Sequence, residues 1–359
     1  MTSARSGALV SRLFEIGARE RDEIGRRWPK APCPVGGYNL DVFHPQSQRP
    51  YTADGSVNLA HLLVGSQGTL ACFRRLHLQL ARLPAARVLA AVRFASLHAA
   101  MDCVQHVVKL APSAVELFDA GMIELSRVEP ALRRALESAL DEDRGRAPQA
   151  MLLVEFSGDD RDRLLGQLAR LVELIGDLGQ AGRVIELPDT GREPALREVR
   201  RAALRVTMSL KGDGAPVSLI EGCAVPLEHL AEYTARLSEV FARHGTKGVW
   251  CGHASVGALH LRPILDLGRS YPAAGAAMLR ALADETCALV SELNGAHSGQ
   301  RDDGPARSDW VAWQFGPRLT RAFEEIKGQF DPLGLMNPGK IVGPSRLDHA
   351  SLFRMRPGY

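Results

Sequence analysis

Between Arg87 and Leu265 the chain repeats one pattern three times: a short Val/Leu/Ile-rich run, an amphipathic helix, and another apolar run. Val88 to Phe94 is followed by a helix aligning Leu97, Met101, Val104 and Val108, then by Ala114 to Phe118. Ala150 to Phe156 leads to a helix aligning Leu164, Leu168, Leu171, Ile175 and Leu178, then to Arg183 to Leu187. Val217 to Ala224 leads to a helix bearing Leu230, Tyr233, Leu237 and Val240, and to two runs ending near His253 and Leu265. Apolar residues three and four apart line one helix face, and apolar runs framed by turns make strands. Repeated β-α-β stretches with one helical layer predict an α+β domain whose sheet carries helices on one face.

The flanks have a different character. Met1 to Trp28 is apolar-periodic and Arg-rich but contains Glu15, Glu20, Asp22 and Glu23 and no apolar stretch before a cleavage site, so it reads as a surface helix rather than a targeting peptide. Ala31 to Tyr51 reads as loop, followed by the apolar run His61 to Val64 and the turn Gly65 to Thr69. Beyond Ser270 the pattern is helical to about Leu293, and a Gly/Ser/Asp loop spans Gly295 to Ser308. Ser308 is placed to N-cap a helix starting at Asp309, which Gly316-Pro317 must interrupt and Asp331-Pro332-Leu333-Gly334 must end.

Length and composition narrow the function classes. At about 150 residues per domain, 359 residues argue for two domains. No apolar run approaches the roughly 18 residues of a membrane helix. Forty-four basic side chains against 41 acidic ones, intermixed, argue against a nucleic-acid partner. The six cysteines lack any C-x-x-C pair, which excludes a locally assembled zinc ribbon or iron–sulfur cluster and fits a reducing cytoplasm.

Four patterns carry potential chemistry. In Gly252-His253-Ala254-Ser255-Val256-Gly257-Ala258-Leu259-His260 two imidazoles sit on apolar runs either side of a tight turn, so a hairpin can bring both rings to one side. They read either as two metal ligands awaiting a third or as two hydrogen-bonded histidines of a half-buried hairpin. His297 to Gly304 is a glycine-rich connection, either closing over a ligand or solvated. Arg197-Glu198-Val199-Arg200-Arg201 offers guanidinium groups for a carboxylate, or a charged helix face. Gly65-Ser66-Gln67-Gly68-Thr69 is a turn whose backbone can approach a phosphate.

Five ordered stretches, "GGYNLDVF", "NLAHLLVGSQGTLACF", "GHASVGALHLRPILDL", "SGQRDDGPARSDW" and "FDPLGLMNPGKIV", resemble the FAD-linked oxidases of the vanillyl-alcohol oxidase superfamily, in the D-lactate, glycolate and D-2-hydroxyglutarate dehydrogenase branch. The resemblance implies the second half of a PCMH-type FAD-binding domain in 1–83 and a ferredoxin-like cap domain with an antiparallel sheet in 84–308. It further implies a helical return to the FAD domain in 309–342 and a tail in 343–359. It implies that a polypeptide outside these residues supplies the first FAD subdomain, that an iron–sulfur protein accepts the electrons, and that the chain is cytoplasmic, or peripheral to the membrane through a partner. Residue by residue, Gly65, Ser66, Gly68, Thr69, Asn337 and Lys340 match positions lying against FAD. Arg200 matches the arginine that anchors the carboxylate of a small 2-hydroxy acid, and His253 and His260 match ligands of a divalent metal such as zinc.

The match fails most at one loop. Relatives read S-G-E-H-G-D-G where this chain has Ser298-Gly299-Gln300-Arg301-Asp302-Asp303-Gly304. The Glu that serves them as third metal ligand is Gln300 here, and the His that serves as base is Arg301. An amide oxygen is a poorer ligand than a carboxylate, and a guanidinium keeps its proton at any physiological pH, so it cannot act as a general base. The expectation is an FAD-dependent D-2-hydroxyacid dehydrogenase with weakened or lost metal and no intact catalytic base. The alternative is a non-catalytic remnant or binding subunit that keeps the cap fold. Gln67 likewise replaces a Glu, and Asp302 replaces a glycine.

Overall fold

The computed structural model describes residues 3–45, 52–128, 133, 148–180, 184–187, 215–216, 220–265, 272–300 and 303–349. The chain divides into two compact units. The first comprises Met1–Leu78, Gly222–Pro226 and Ser270–Tyr359, and the second Gln79–Glu221 and Leu227–Arg269.

Eight strands are formed: β1 (Ala86–Phe94), β2 (Ala114–Asp119), β3 (Ala150–Gly158), β4 (Val184–Leu187), β5 (Ala215–Pro216), β6 (Ile220–Ala224), β7 (Gly248–His253) and β8 (Ala258–Leu265). In the second unit seven of them run in the order β4-β1-β3-β2-β7-β8-β5, with antiparallel pairing between neighbours. The first two β-α-β stretches interleave as β4-β1-β3-β2, the split arrangement of ferredoxin-like sheets, and the β7–β8 hairpin adds to the β2 edge. The α+β sheet expected from the periodicity is therefore present, and it is antiparallel.

Its helices, Leu97–Val107, Arg161–Ile175 and Leu230–Arg243, pack side by side, the first touching both others. The faces read from the sequence are buried at Leu164, Leu168, Leu171 and Ile175, and at Leu230, Tyr233, Leu237 and Val240. Two helix starts are capped: Ala99 donates its backbone N–H to Ser96 Oγ at 3.1 Å, and Arg163 donates to Asp160 Oδ1 at 3.2 Å. Each cap contributes about 1 kcal/mol. Leu178 departs from expectation and is exposed, because the α-helix ends at Ile175 and the chain turns through Gly179 at φ +74°. Val108 likewise falls in a 3₁₀ turn beyond the first helix, which buries Met101, Val104 and Val107 instead.

The first unit is helical around one core. The N-terminal stretch forms two helices, Ser3–Arg19 and Arg21–Arg27, not one, and their apolar side is interior: Leu13, Ile16, Ile24 and Trp28 join Phe315, Leu319, Phe323 and Ile326 of the helix Val311–Phe330. That long helix is kinked at Gly316, as the Gly-Pro pair requires. The helix Pro272–Glu292 stops where expected. Ser308 does not cap: it lies inside helical backbone, its hydroxyl donates to Gly304 O at 2.6 Å, and it accepts from Ile341 N at 2.9 Å. A short helix, Gly304–Arg307, has already started before it. Among the described residues no helix is long and apolar enough to cross a membrane.

Candidate functional site

In the first unit the turn at Gly65–Thr69 and the segment around Asn337 come together, although they lie about 270 residues apart. Asn337 donates its side-chain amide to Gln67 O at 2.7 Å, and Gln67 Oε1 accepts Gly304 N–H at 2.9 Å. These bonds hold Gln67 at φ +55°, an uncommon conformation for a side chain of this kind. Lys327 ties the two segments again, since its ammonium donates to Thr69 O at 2.6 Å, Asp331 Oδ2 at 2.6 Å and Met336 O at 2.7 Å. The Tyr38 and Thr69 hydroxyls share a hydrogen bond of 2.7 Å, and Thr69 Oγ1 also donates to Ser66 O at 2.6 Å. Lys340 Nζ donates to Pro338 O at 3.1 Å.

Within this satisfied network two buried polar atoms have no hydrogen-bond partner among the described residues: Ser66 Oγ and Gln67 Nε2. An unsatisfied buried group costs about 1–3 kcal/mol, so a native fold retains one where something else completes it. A polar ligand bearing acceptors and donors, as FAD does, fits that turn. Gly65, Ser66, Gly68, Thr69 and Asn337 thus form one neighbourhood, with Lys340 three residues beyond Asn337.

The connection after Leu293 is not solvated between Gly295 and Gly299, which corrects that reading. His297, Ser298 and Gly299 are buried because Gly299 lies against Ala224: a Cβ there would meet Ala224 Cβ at 2.1 Å, and Gly299 N–H donates to Gly222 O at 2.6 Å. Asp303 is buried too, accepting Ser298 Oγ–H at 2.6 Å and Gly37 N–H at 2.7 Å, and burial raises its pKa. Burial also holds His297 neutral, its pKa pushed down to about 3. Gln300 is exposed, while Arg301, Asp302 and the whole Arg197–Arg201 stretch, including Arg200, lie outside the described residues.

In the second unit the β7–β8 hairpin does what its length allows. Strand register opposes Gly252 to Leu259 and Cys251 to His260, with a 3₁₀ turn between. The His253 and His260 rings meet edge to face with centroids 6.0 Å apart. The approach of the strands depends on Gly252, whose φ is +146° and whose Cβ would sit 2.7 Å from Ala258 O. A carboxylate that sequence reading did not single out joins them: Glu116 pairs with His253 across β2–β7, and His253 Nδ1 lies 2.9 Å from Glu116 Oε1. Among the described residues no group of three His, Cys, Asp or Glu side chains is arranged to hold a metal ion. What the hairpin and the neighbouring strand bring together is two imidazoles, with a carboxylate already bonded to one of them.

Glu116 and Lys327 were the residues missed. Lys327 had a weak local signal in its i,i+4 spacing to Asp331; Glu116 had none, since its partner is 137 residues away. Beside the hairpin and in the neighbouring helix, burial pushes the Cys251 thiol up to about 12 and the Cys103 thiol up to about 11, so both remain thiols.

The chain belongs to the family described as FAD linked oxidases, C-terminal domain, whose model matches residues 83–341. That family implies FAD. Among curated proteins the chain is similar to D-2-hydroxyglutarate dehydrogenase of Escherichia coli (strain K12), 29% identical over 352 residues, covering 95% of this chain and 33% of the relative. It is also similar to D-lactate dehydrogenase of Archaeoglobus fulgidus, 26% identical over 288 residues, covering 79% of this chain and 58% of the relative. It thus spans about a third of the length of the D-2-hydroxyglutarate dehydrogenases it matches. Among solved structures, alkyldihydroxyacetonephosphate synthase matches with a TM-score of 0.51 at 13% identity, over 86% of this chain and 53% of that one, which shows a shared fold.

Proposed function

We propose that this chain forms the cap and part of the flavin cradle of an FAD-dependent D-2-hydroxyacid dehydrogenase, acting on a small substrate such as D-lactate or D-2-hydroxyglutarate. The observation that carries the reading is the turn Gly65–Thr69, knitted to Asn337 and Lys327 yet keeping Ser66 Oγ and Gln67 Nε2 buried and unsatisfied. Those two groups, with the backbone of Gly65 and Gly68, Thr69, Asn337 and Lys340, would hold FAD. The glycine-rich subdomain that cradles the pyrophosphate would be supplied outside these 359 residues. FAD, when bound, supplies the acceptor for the hydride that leaves C2 of the hydroxy acid.

The chain's own residues would do the rest. Arg200 would hold the substrate carboxylate bidentately. His253 and His260 would hold a divalent cation, whose chemistry is to polarise the 2-hydroxyl group. The proton of that hydroxyl needs an acceptor, and Arg301, always protonated, is not one. Gln300 lends only a neutral amide to the third ligand position.

A second reading, a non-catalytic subunit that keeps the cap fold, rests on those two replacements. One experiment separates them. The chain is purified with a polypeptide carrying the pyrophosphate-binding subdomain, its visible spectrum is recorded, and dye reduction by D-lactate and D-2-hydroxyglutarate is followed. Flavin bands, with turnover raised on the order of 100- to 10,000-fold when Gln300→Glu and Arg301→His are combined, support the dehydrogenase architecture with an incapacitated loop. A colourless complex overturns flavin binding. Substantial turnover by the unmodified chain overturns the reading of Arg301.

A further inference from the structure

We propose that residues 74–82 are a β-edge for the polypeptide that supplies the glycine-rich flavin subdomain: a strand of that partner pairs with them, and Leu76, Leu78 and Leu80 enter the partner's core. The inference rests on the reading of this chain as part of a flavin cradle and says where the remainder attaches.

In Arg74-Arg75-Leu76-His77-Leu78-Gln79-Leu80-Ala81-Arg82 apolar and polar residues alternate through the middle, the period-2 mark of a strand with one buried face. Among the described residues that face is buried against nothing. Residues 72–83 are exposed without interruption, and Leu76, Leu78 and Leu80 are 63%, 76% and 86% exposed. Among the described residues, 71–84 belong to no helix or strand and make no backbone–backbone hydrogen bond. Main-chain donors and acceptors and an apolar row are therefore open together, which is what strand addition uses: the main chain for affinity, alternate side chains for pockets. A plain flexible connection has no need of such leucines, being Gly/Ser-rich. The stretch also continues the cradle, since it follows Thr69 within five residues. Further exposed apolar side chains flank that cradle: Val64 directly precedes the turn, and Leu335 lies two residues before Asn337, which holds Gln67 O.

Two observations favour this occupant. The chain covers 33% of D-2-hydroxyglutarate dehydrogenase and 53% of the synthase that shares its fold, so much of each relative lies beyond the matched part. A second copy fits poorly. Antiparallel pairing about Leu78 sets Arg74 opposite Arg82, parallel pairing in register sets each arginine beside its own counterpart, and like charges directly opposite destabilise a sheet. Arg82 does not escape this through its ion pair, because its contact with Asp159 is 3.9 Å long and both side chains are exposed. An edge with an apolar face and acidic flanks suits both features.

The test titrates the chain, with FAD present, with a separately purified polypeptide carrying the glycine-rich subdomain, and follows association, flavin absorbance and amide hydrogen exchange. The amides of residues 76–80 should exchange freely in the isolated chain and be protected in the complex. Leu78→Asp should weaken association on the order of 100-fold, because it buries a charge in an apolar contact. Gln79→Asp puts the same charge on the other face and should cost about 3-fold at most. Both positions are exposed, so both variants should keep the thermal midpoint of the isolated chain. A flavin-bearing complex that tolerates Leu78→Asp, or leaves 76–80 unprotected, overturns the edge while the flavin reading stands. A complex sensitive to Leu78→Asp but colourless keeps the edge and removes the flavin reading. Protection in the isolated chain, with a dimer that Leu78→Asp dissociates, gives the surface to a second copy and overturns the proposal, as does failure of wild type to associate.

Discussion

The two units bring their candidate residues together by different means. In the second, His253 and His260 lie on adjacent strands of one hairpin and Glu116 on the next strand, so backbone register alone sets their spacing. In the first, Gly65–Thr69 and Asn337 are joined across about 270 residues by side-chain-to-backbone bonds from Asn337 and Lys327. A site set by register tolerates the loss of one side chain, because the ladder remains. A site set by side-chain ties does not, because each tie is also the scaffold.

The largest expected effect follows from that difference. Lys327→Met removes the donor that joins Thr69 O, Asp331 and Met336 O. The two carbonyls left without their donor alone cost about 2–6 kcal/mol together. The four tryptophans make the outcome local, since Trp28, Trp310 and Trp313 belong to the first unit and Trp250 to the second. Indole N–H signals followed through a urea titration should show the three losing native shift at lower denaturant than in wild type while Trp250 keeps its midpoint. Equal displacement of all four would break the contrast and show that the units unfold together.

The same contrast explains how far the sequence could be read. Helix faces such as Leu164, Leu168, Leu171 and Ile175 were legible because burial and period agree over four turns; Leu178 was not, because Gly176 and Gly179 end the helix before its turn comes. The histidine pair was legible because both residues sit on one hairpin, within seven positions. Glu116 was invisible because nothing near it in the chain predicts that β2 will lie beside β7. Ser308 was misread for a related reason: its hydroxyl answers Gly304 and Ile341, the latter 33 residues on, and not the helix it precedes. Local rules give elements and neighbours on a hairpin, whereas long-range ties are decided by packing.

A smaller effect is expected from pH, with opposite sign for a buried imidazole of the first unit and a buried carboxyl of the second. Burial lowers His297 from an ordinary 6.5 to about 3, so its folded form binds fewer protons than its unfolded form. It contributes stability present above pH 6.5 and lost as pH falls toward 3. Asp119, on β2, is raised from 3.8 to about 6 by burial, against hydrogen bonds from Trp250 N at 2.7 Å and Met122 N at 2.8 Å. It contributes stability present below pH 3.8 and lost as pH rises through 6. In the first unit Asp303 is raised as well and acts with the sign of Asp119. The comparison of wild type with His297→Gln isolates the imidazole, since Asp303 is in both. The expected result is an acid-side loss between pH 6.5 and 3, at most a few kcal/mol, that is missing in His297→Gln. A carbon-detected titration should place the Asp119 carboxyl near pH 6. An Asp119 midpoint near 4, or equal acid sensitivity in both proteins, would remove the opposition between the imidazole and the carboxyl.

The smallest effect discriminates most sharply between a cradle and a mere turn. Ser66 is 1% exposed and its hydroxyl has no partner among the described residues, so in flavin-free protein Ser66→Ala removes a buried group that nothing satisfies. Removing such a group is neutral or stabilising, here by under about 1 kcal/mol, whereas deleting a bonded serine would destabilise by a similar amount. In the flavin-loaded complex the sign should reverse, because the hydroxyl then has something to bond. The measurements are the thermal midpoint of the flavin-free chain and the fraction of flavin retained after dialysis of the complex. A midpoint that holds or rises, together with faster flavin loss, marks the turn as a surface made for a ligand. A fall in the midpoint with flavin retention unchanged would mean that the hydroxyl serves the fold, and that the first unit's turn is as self-contained as the second unit's hairpin.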